Sequence, residues 1–197
     1  LVGSEMCIRD RSSSAALGIA LAVSTANAAD TIKIGVPVGL SGANSVVAPS
    51  VVQSAELAVD QINASGGLLG RQLEVVVADD GSGAQGAQKA FDSLVFQKKV
   101  DALISMETSA ARNAGLPIVN RGKVPYIYTS FYEGRSCSPW MYVNAGVPEQ
   151  QVAPIVDHCM KSESAKTFFL IGSDYAFGRG MLEFTHKYSE ESGGKGL

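Results

Sequence analysis

The stretch from Thr31 to Val38 reads TIKIGVPV, a short apolar run rich in β-branched residues, which is typical of a buried strand. The same signal recurs along the chain and alternates with helical periodicity. Strands are predicted at 31–38, 72–78, 100–105, 125–129, 140–144 and 166–171, and helices at 51–64, 84–97, 109–121, 149–160 and 177–191. This alternation predicts the α/β class, with a doubly wound parallel sheet and helices on both of its faces.

Functional side chains are expected in the loops that follow the strands, because doubly wound sheets bind ligands at the carboxyl ends of their strands. Hydroxyl and aromatic side chains in or beside these loops are suited to desolvating and orienting a small polar ligand. The candidates are Ser41, Thr108, Ser109, Tyr128, Ser130, Phe131, Tyr175 and Phe177. Two alternatives stay open: Thr108 and Ser109 can simply cap a helix, and the aromatic rings can belong to the core.

Composition and motifs exclude several classes of function. The 197 residues carry a formal net charge of −3, without the basic stripe of a nucleic-acid-binding protein. The two histidines, His158 and His186, are separated on predicted helices and lie outside the strand-end loops, so we expect no metal site and no histidine-assisted nucleophile. Cys137 and Cys159 leave the disulfide state open. We therefore expect a protein without catalytic residues or cofactors.

One motif favours a different function. Residues 81–86 read GSGAQG, a G-x-G-x-x-G after a predicted strand, with Glu107 at the distance of a ribose-binding acid. An NAD-dependent oxidoreductase is thus an alternative. Against it, Asp79 and Asp80 would place two carboxylates beside a pyrophosphate, and the motif lies in the second βα unit, not the first.

The N-terminal segment predicts export. Residues 12–28 form a short apolar run that ends in Ala26-Asn27-Ala28, an A-x-A cleavage signal, and the run is too short to span a membrane. We expect a signal peptide and a periplasmic product. Residues 1–11 lack an initiator Met and a basic character, and we interpret them as an artefactual segment.

Several stretches together resemble the type I periplasmic binding proteins of ABC importers, in the branch for branched-chain amino acids, urea and short-chain amides. The matching stretches are IKIGVPVGLSG (32–42), AELAVDQINASGGLLGRQLEVVVADDGS (55–82), TSAAR (108–112), YTSFYEG (128–134), PEQQVAPIVD (148–157) and FFLIGSDYAFGRGM (168–181). The resemblance implies two α/β lobes that close on a solute, with an ABC permease in the inner membrane as partner. A sensor or regulator on the same fold is a further alternative, although the export signal argues against a cytoplasmic one.

The resemblance also implies roles for particular residues. Ser109, Tyr128 and Ser130 would line the cleft from the first lobe, and Tyr175 and Phe177 from the second. Amide-binding relatives often carry Tyr at the position of Phe177, whereas branched-chain amino-acid binders often have a Tyr-Gly after the first loop, where this chain has residues 46–48, VVA. The missing Tyr-Gly favours urea or an amide, whereas Phe177 lacks the hydroxyl that would make a specific hydrogen bond in the amide binders.

The expected domain organisation is an N-terminal ligand-binding lobe at 30–147 and the incomplete start of a C-terminal lobe at 148–197, as in a C-terminally truncated relative. With one strand, residues 166–171, this second lobe would lack a sheet and independent stability.

Overall fold

The computed structural model describes residues 31–81, 83–134 and 136–197 of the chain. The expectations about an artefactual segment at 1–11 and a signal peptide at 12–28 lie outside the described residues. Across the described ranges, no helix combines the length and the apolar character that crossing a membrane requires.

A five-stranded parallel sheet forms the centre of the first part of the chain. Its strands are β1 (Ile32–Val38), β2 (Leu73–Asp79), β3 (Ala102–Ser105), β4 (Tyr126–Tyr128) and β5 (Met141–Val143), in the order β2-β1-β3-β4-β5. Three helices connect them: α1 (Ala48–Ala64), α2 (Gly83–Asp92) and α3 (Ser109–Gly122), with α2 continuing into a π-helical turn at Ser93–Gln97. The strand order reverses between β1 and β3, which makes their ends the topological switch point.

Both faces of this sheet are covered by apolar side chains. On one face, Phe91 and Leu94 of the α2 segment and Val119 of α3 pack against Leu103 and Tyr126 of the sheet. On the other face, α1 packs against Val36 and Val38 of β1 and their neighbours in β2. The prediction of a doubly wound α/β sheet with helices on both faces is confirmed.

The C-terminal part contains α4 (Pro148–Gln151), α5 (Ala153–Ser162), β6 (Thr167–Phe168), α6 (Ala176–Glu191) and β7 (Lys195–Gly196). The helix predicted at 149–160 is divided at Val152, because Pro154 in the first turn of α5 has no N–H to donate to the preceding turn. The prediction of a single strand was wrong: β6 pairs in parallel with β7, over two residues of each. The predicted lobe boundary at residue 148 stays a prediction.

The predicted strand at 166–171 is mostly unpaired. Only Thr167 and Phe168 align with β7, and beyond them Phe169 and Ile171 are 77% and 82% exposed. A two-stranded pair of this length is far below what an independently stable sheet requires.

We predict that backbone amides at 167–171 exchange with solvent much faster than those of β1, because local opening of so short a pair disrupts little apolar burial. Hydrogen–deuterium exchange with mass spectrometry on the 197-residue chain measures both segments in the same sample. Protection at 167–171 equal to that of β1 would show that the C-terminal part is a stable unit.

Candidate functional site

A small polar cavity lies at the switch point, where the loops after β1, β2 and β3 meet. Its volume is about 80 Å³, and it brings together Ser41 and Thr108, two of the predicted site residues. The remaining lining residues are Gly39, Asn44, Asp80, Gly81, Gly83, Glu107 and Ala111. Because Ser41 and Gly83 are exposed, the cavity reaches the protein surface.

Both hydroxyl groups in this cavity are positioned by internal hydrogen bonds. Thr108 is the N-cap of α3, and its Oγ1 accepts from the N–H of Ala111 at 3.1 Å, so the capping interpretation is confirmed for this residue. Ser41 donates its Oγ–H to Asp79 Oδ2 at 2.9 Å, and its N–H to Asp79 Oδ1 at 3.2 Å. Each side chain is therefore held in one orientation at the edge of the sheet.

Ser109 and Tyr128 point into the protein. Both are 1% exposed. Ser109 Oγ donates to Glu133 Oε2 at 2.7 Å, and the Tyr128 hydroxyl donates to the carbonyl oxygen of Glu107 at 2.8 Å. Their hydroxyl protons are thus occupied by the protein itself, and a role for either in contacting a solute stays a prediction.

A buried ion pair organises the residues around Ser109. Arg112, which is fully buried, binds both carboxylate oxygens of Glu133, with Nη2 to Oε1 at 2.6 Å and Nη1 to Oε2 at 3.2 Å. Its guanidinium carbon lies 5.0 Å and 4.8 Å from the ring centroids of Tyr128 and Tyr132. Burial alone would raise the pKa of Glu133, but hydrogen bonds from Arg112 and Ser109 lower it below its usual value. Glu133 is therefore a stable anion.

The remaining predicted site residues occupy other places. Ser130 is half-buried near the Tyr128 hydroxyl, and Phe131 is 63% exposed. Tyr175 and Phe177, with ring centroids 6.1 Å apart, line a separate cavity of about 430 Å³ together with residues that follow β6 and residues of α6. The structure thus brings Ser41 and Thr108 together, and it places the Tyr175–Phe177 pair in a different cavity.

Two further carboxyl groups, Asp80 and Glu107, are buried in the small cavity at 4% and 2% exposure. Burial, followed by the interaction with Asp80, raises the pKa of Glu107 to about 10. Burial likewise raises the pKa of Asp80. Since two ionised carboxylates cannot hydrogen-bond to each other, the pair retains one proton at neutral pH, and we place it on Glu107.

At the start of the glycine-rich segment 81–86, the N–H of Gly81 is already bonded to one of the protein's own carboxylates. The N–H of Gly81 donates to Asp79 Oδ1 at 2.9 Å, and this bond is the main cause of the lowered pKa of Asp79. A stable anion therefore already holds the amide that a pyrophosphate would need. Glu107, placed by its spacing as a ribose-binding acid, is buried beside Asp80. Both observations weigh against the nucleotide interpretation.

Sequence reasoning did not identify Asp80, Arg112 or Glu133 as members of a site. One signal was present: Arg112 lies one helical turn from Ser109, so that a charge shares the buried face of a predicted helix. A charge there requires a buried partner, and the partner, Glu133, lies in the loop quoted for the family resemblance.

Comparison with known proteins identifies the architecture. Residues 31–197 match a family model described as periplasmic binding protein. A leucine-binding protein from Thermotoga maritima is 23% identical with a TM-score of 0.73, over 85% of this chain and 48% of that one. A branched-chain amino-acid binding protein from Streptococcus pneumoniae, solved with isoleucine, is 29% identical with a TM-score of 0.66, over 84% and 47%.

A solute-binding protein from Rhodopseudomonas palustris, solved with 3,4-dihydroxybenzoic acid, is 22% identical with a TM-score of 0.72, over 86% of this chain and 46% of that one. Likenesses at this identity concern the fold. The chain spans about half the length of these solved proteins.

We predict that Arg112→Met lowers the free energy of unfolding by about 3–5 kcal/mol, because it leaves the Glu133 carboxylate buried without its partner. Arg121→Met, in the same helix, is the matched control. Its ion pair with Asp92 is exposed, at 65% and 44%, and should contribute about 1 kcal/mol or less. Urea unfolding measures both, and equal losses would contradict the role assigned to Arg112.

We predict that Glu107→Gln flattens the pH dependence of stability. The pKa of Glu107 is about 10 in the fold and 4.5 when unperturbed. Between these values the unfolded chain has released the proton that the folded chain retains, so wild-type stability falls as pH rises. The variant should gain on wild type by more than about 1 kcal/mol between pH 5 and 9, roughly the equivalent of one pKa unit.

Urea unfolding across this pH range tests the sign, with the exposed Glu74→Gln as control. Parallel profiles for wild type and Glu107→Gln would mean that Glu107 is ionised in the fold.

Proposed function

The chain belongs to the periplasmic binding protein family, and from this we propose that it captures a small solute in the periplasm for an ABC importer. The solute is an amide-like or urea-like molecule, with a small amino acid as the alternative. Export through a signal peptide at 12–28 and delivery to a permease of the inner membrane are parts of the same proposal.

The observation that carries this proposal is the cavity formed by Ser41, Thr108 and their neighbours at the switch point of a parallel sheet. Ligands of open α/β sheets bind at this place, because loops from oppositely wound halves diverge there and leave a crevice. The first turn of α3 adds backbone N–H groups, which can receive a carbonyl oxygen. Polar groups on both sides of one crevice suit a small, hydrogen-bonding solute.

The C-terminal part supplies the second wall in this proposal. Tyr175 and Phe177 stand at the N-terminus of α6 and are partly exposed, so their rings are accessible to a solute or to the opposing lobe. Hinge closure of two lobes would place such rings over the bound solute and exclude water. Phe177 lacks a hydroxyl, so Tyr175 is the aromatic residue that can add a hydrogen bond from this side.

The expected result in a thermal-shift screen of the complete protein is that one class among urea, short amides and amino acids raises the melting temperature with concentration. A ligand that binds only the native state stabilises it by mass action. Ser130→Ala and Tyr175→Phe should each lower the affinity for the solute that raises the melting temperature, by about tenfold for each hydrogen bond to the ligand that is lost.

Ser54→Ala is the control, because the Ser54 hydroxyl donates within α1, to the carbonyl oxygen of Ser50 at 2.7 Å. If none of these solutes raises the melting temperature, that result counts against the receptor function. Saturable binding of NAD(H) that is lost in Gly83→Val would favour the oxidoreductase instead.

A further inference from the structure

A close contact joins the first part of the chain, which contains the five-stranded sheet, to the C-terminal part. Gly180, in the second turn of α6, is buried against Glu133 in the loop after β4. A Cβ atom added to Gly180 would lie 2.7 Å from Glu133 Cγ and 2.9 Å from Glu133 Cβ. Carbon atoms pack best at about 3.5–4.0 Å, so a larger side chain at this position requires a displacement.

Glu133 cannot yield to a larger neighbour, because both of its carboxylate oxygens are held. They accept hydrogen bonds from the guanidinium of Arg112 at 2.6 Å and 3.2 Å, and Oε2 also accepts from the Ser109 hydroxyl at 2.7 Å. Arg112 is itself fully buried, beside the rings of Tyr128 and Tyr132. Moving Glu133 would therefore open a buried ion pair, which is strongly unfavourable.

A displacement at this contact must instead move α6. Gly180 lies within the continuous helix Ala176–Glu191, and moving one residue without its neighbours would break hydrogen bonds of that helix. Phe177 lies one turn before Gly180, and Tyr175 is the N-cap residue of α6. Any shift of α6 at Gly180 therefore carries both aromatic rings with it.

Beside this contact the two parts are not tightly packed. A cavity of about 400 Å³ adjoins Glu133 and Gly180, and its other lining residues are Asn113, Gly134, Ser136, Ala176, Arg179 and Glu183. Ser130 and Phe131, two candidate site residues, precede Glu133 in the same loop. The contact thus lies between candidate residues of the two parts, next to open space that leaves room for rotation.

We propose that Gly180 and Glu133 form the pivot on which the C-terminal part turns against the first part when a solute is captured. This inference rests on the proposed function, since closure on a solute is the motion that the contact governs. Gly180 is then a positioning residue: its missing side chain sets the distance at which Tyr175 and Phe177 face the strand-end loops. Neither Gly180 nor Glu133 contacts the solute in this role.

Distance measurements between spin labels test the contact without any solute. Labels are attached to the complete protein at Gln53→Cys in α1 and Lys187→Cys in α6, both exposed, with the native cysteines replaced by serine. Double electron–electron resonance then reports the distance between the two parts. Gly180→Ala should shift the mean distance, and Gly180→Val should shift it further, because a larger side chain needs more room beside Glu133.

Gly122→Ala, in α3, is the matched control. Its added Cβ would collide with Val95, so the strain lies within the first part, and the label distance should stay at the wild-type value. Circular dichroism verifies the fold of each variant, and the Gly180→Ala comparison decides the contact if Gly180→Val misfolds.

Isothermal titration with urea and acetamide connects the contact to solute capture. Gly180→Ala should weaken the binding of whichever probe the wild type binds by about tenfold, the effect of one lost hydrogen bond, because the shifted Tyr175 no longer reaches that probe. Gly122→Ala should leave the affinity unchanged.

The opposing outcomes are distinct. Alanine favours a helix over glycine, so a raised melting temperature of Gly180→Ala with the wild-type label distance would overturn the inference and make Gly180 an ordinary helical position. A shifted distance with wild-type affinity would overturn the positioning role. If the wild type binds neither probe, that result counts against the proposed amide or urea receptor, and the label distances alone decide the contact.

Discussion

The buried bond between Arg112 and Glu133 is the constraint on which the geometry of the strand-end region depends. Replacing such a pair by apolar side chains often leaves stability unchanged. Removing one partner is strongly destabilising, because the other charge stays buried without compensation. The pair therefore fixes positions more than it adds stability. It joins the first turns of α3 to the loop after β4, and the rings of Tyr128 and Tyr132 enclose it.

The same pair also fixes how closely α6 approaches. A Cβ atom added at Gly180 would lie 2.7 Å from Glu133 Cγ, so only a glycine allows α6 to come this near to the loop. Glu133 cannot move aside, because both of its carboxylate oxygens are held by Arg112. One ion pair thus sets the position of α3 and limits how closely α6, which carries Phe177, can approach.

The fold could be predicted from sequence because each strand from β1 to β4 is an apolar run bounded by turn residues, and that signal is local. The edge of the sheet that carries the site could also be predicted, since parallel strands fix it. The direction in which a side chain points at that edge could not. Ser109 and Thr108 are neighbours in sequence, yet Thr108 lines the cavity and Ser109 bonds inward to Glu133.

Two buried glutamates of this region have pKa values shifted in opposite directions, because their partners differ. Burial raises the pKa of both, but Glu133 meets a guanidinium that brings its pKa below the usual value, whereas Glu107 meets another acid that raises its pKa further. A sequence contains both as single Glu letters after a strand. Their roles follow from long-range partners 21 and 27 residues away, Arg112 and Asp80, which no local pattern specifies.

The hydrogen-bonding inventory of the cavity argues for a solute rich in donors. Ser41 donates its hydroxyl proton to Asp79, so the Ser41 oxygen remains available as an acceptor. Thr108 uses a lone pair to cap α3, which leaves its proton as one donor. Asp80 and Glu107 share one proton, so the acid pair carries one negative charge. A carboxylate, as in a free amino acid, would meet like charge here, whereas an amide nitrogen could donate to the Ser41 oxygen. The electrostatics of this cavity therefore favour the nitrogen end of a solute over its acid end.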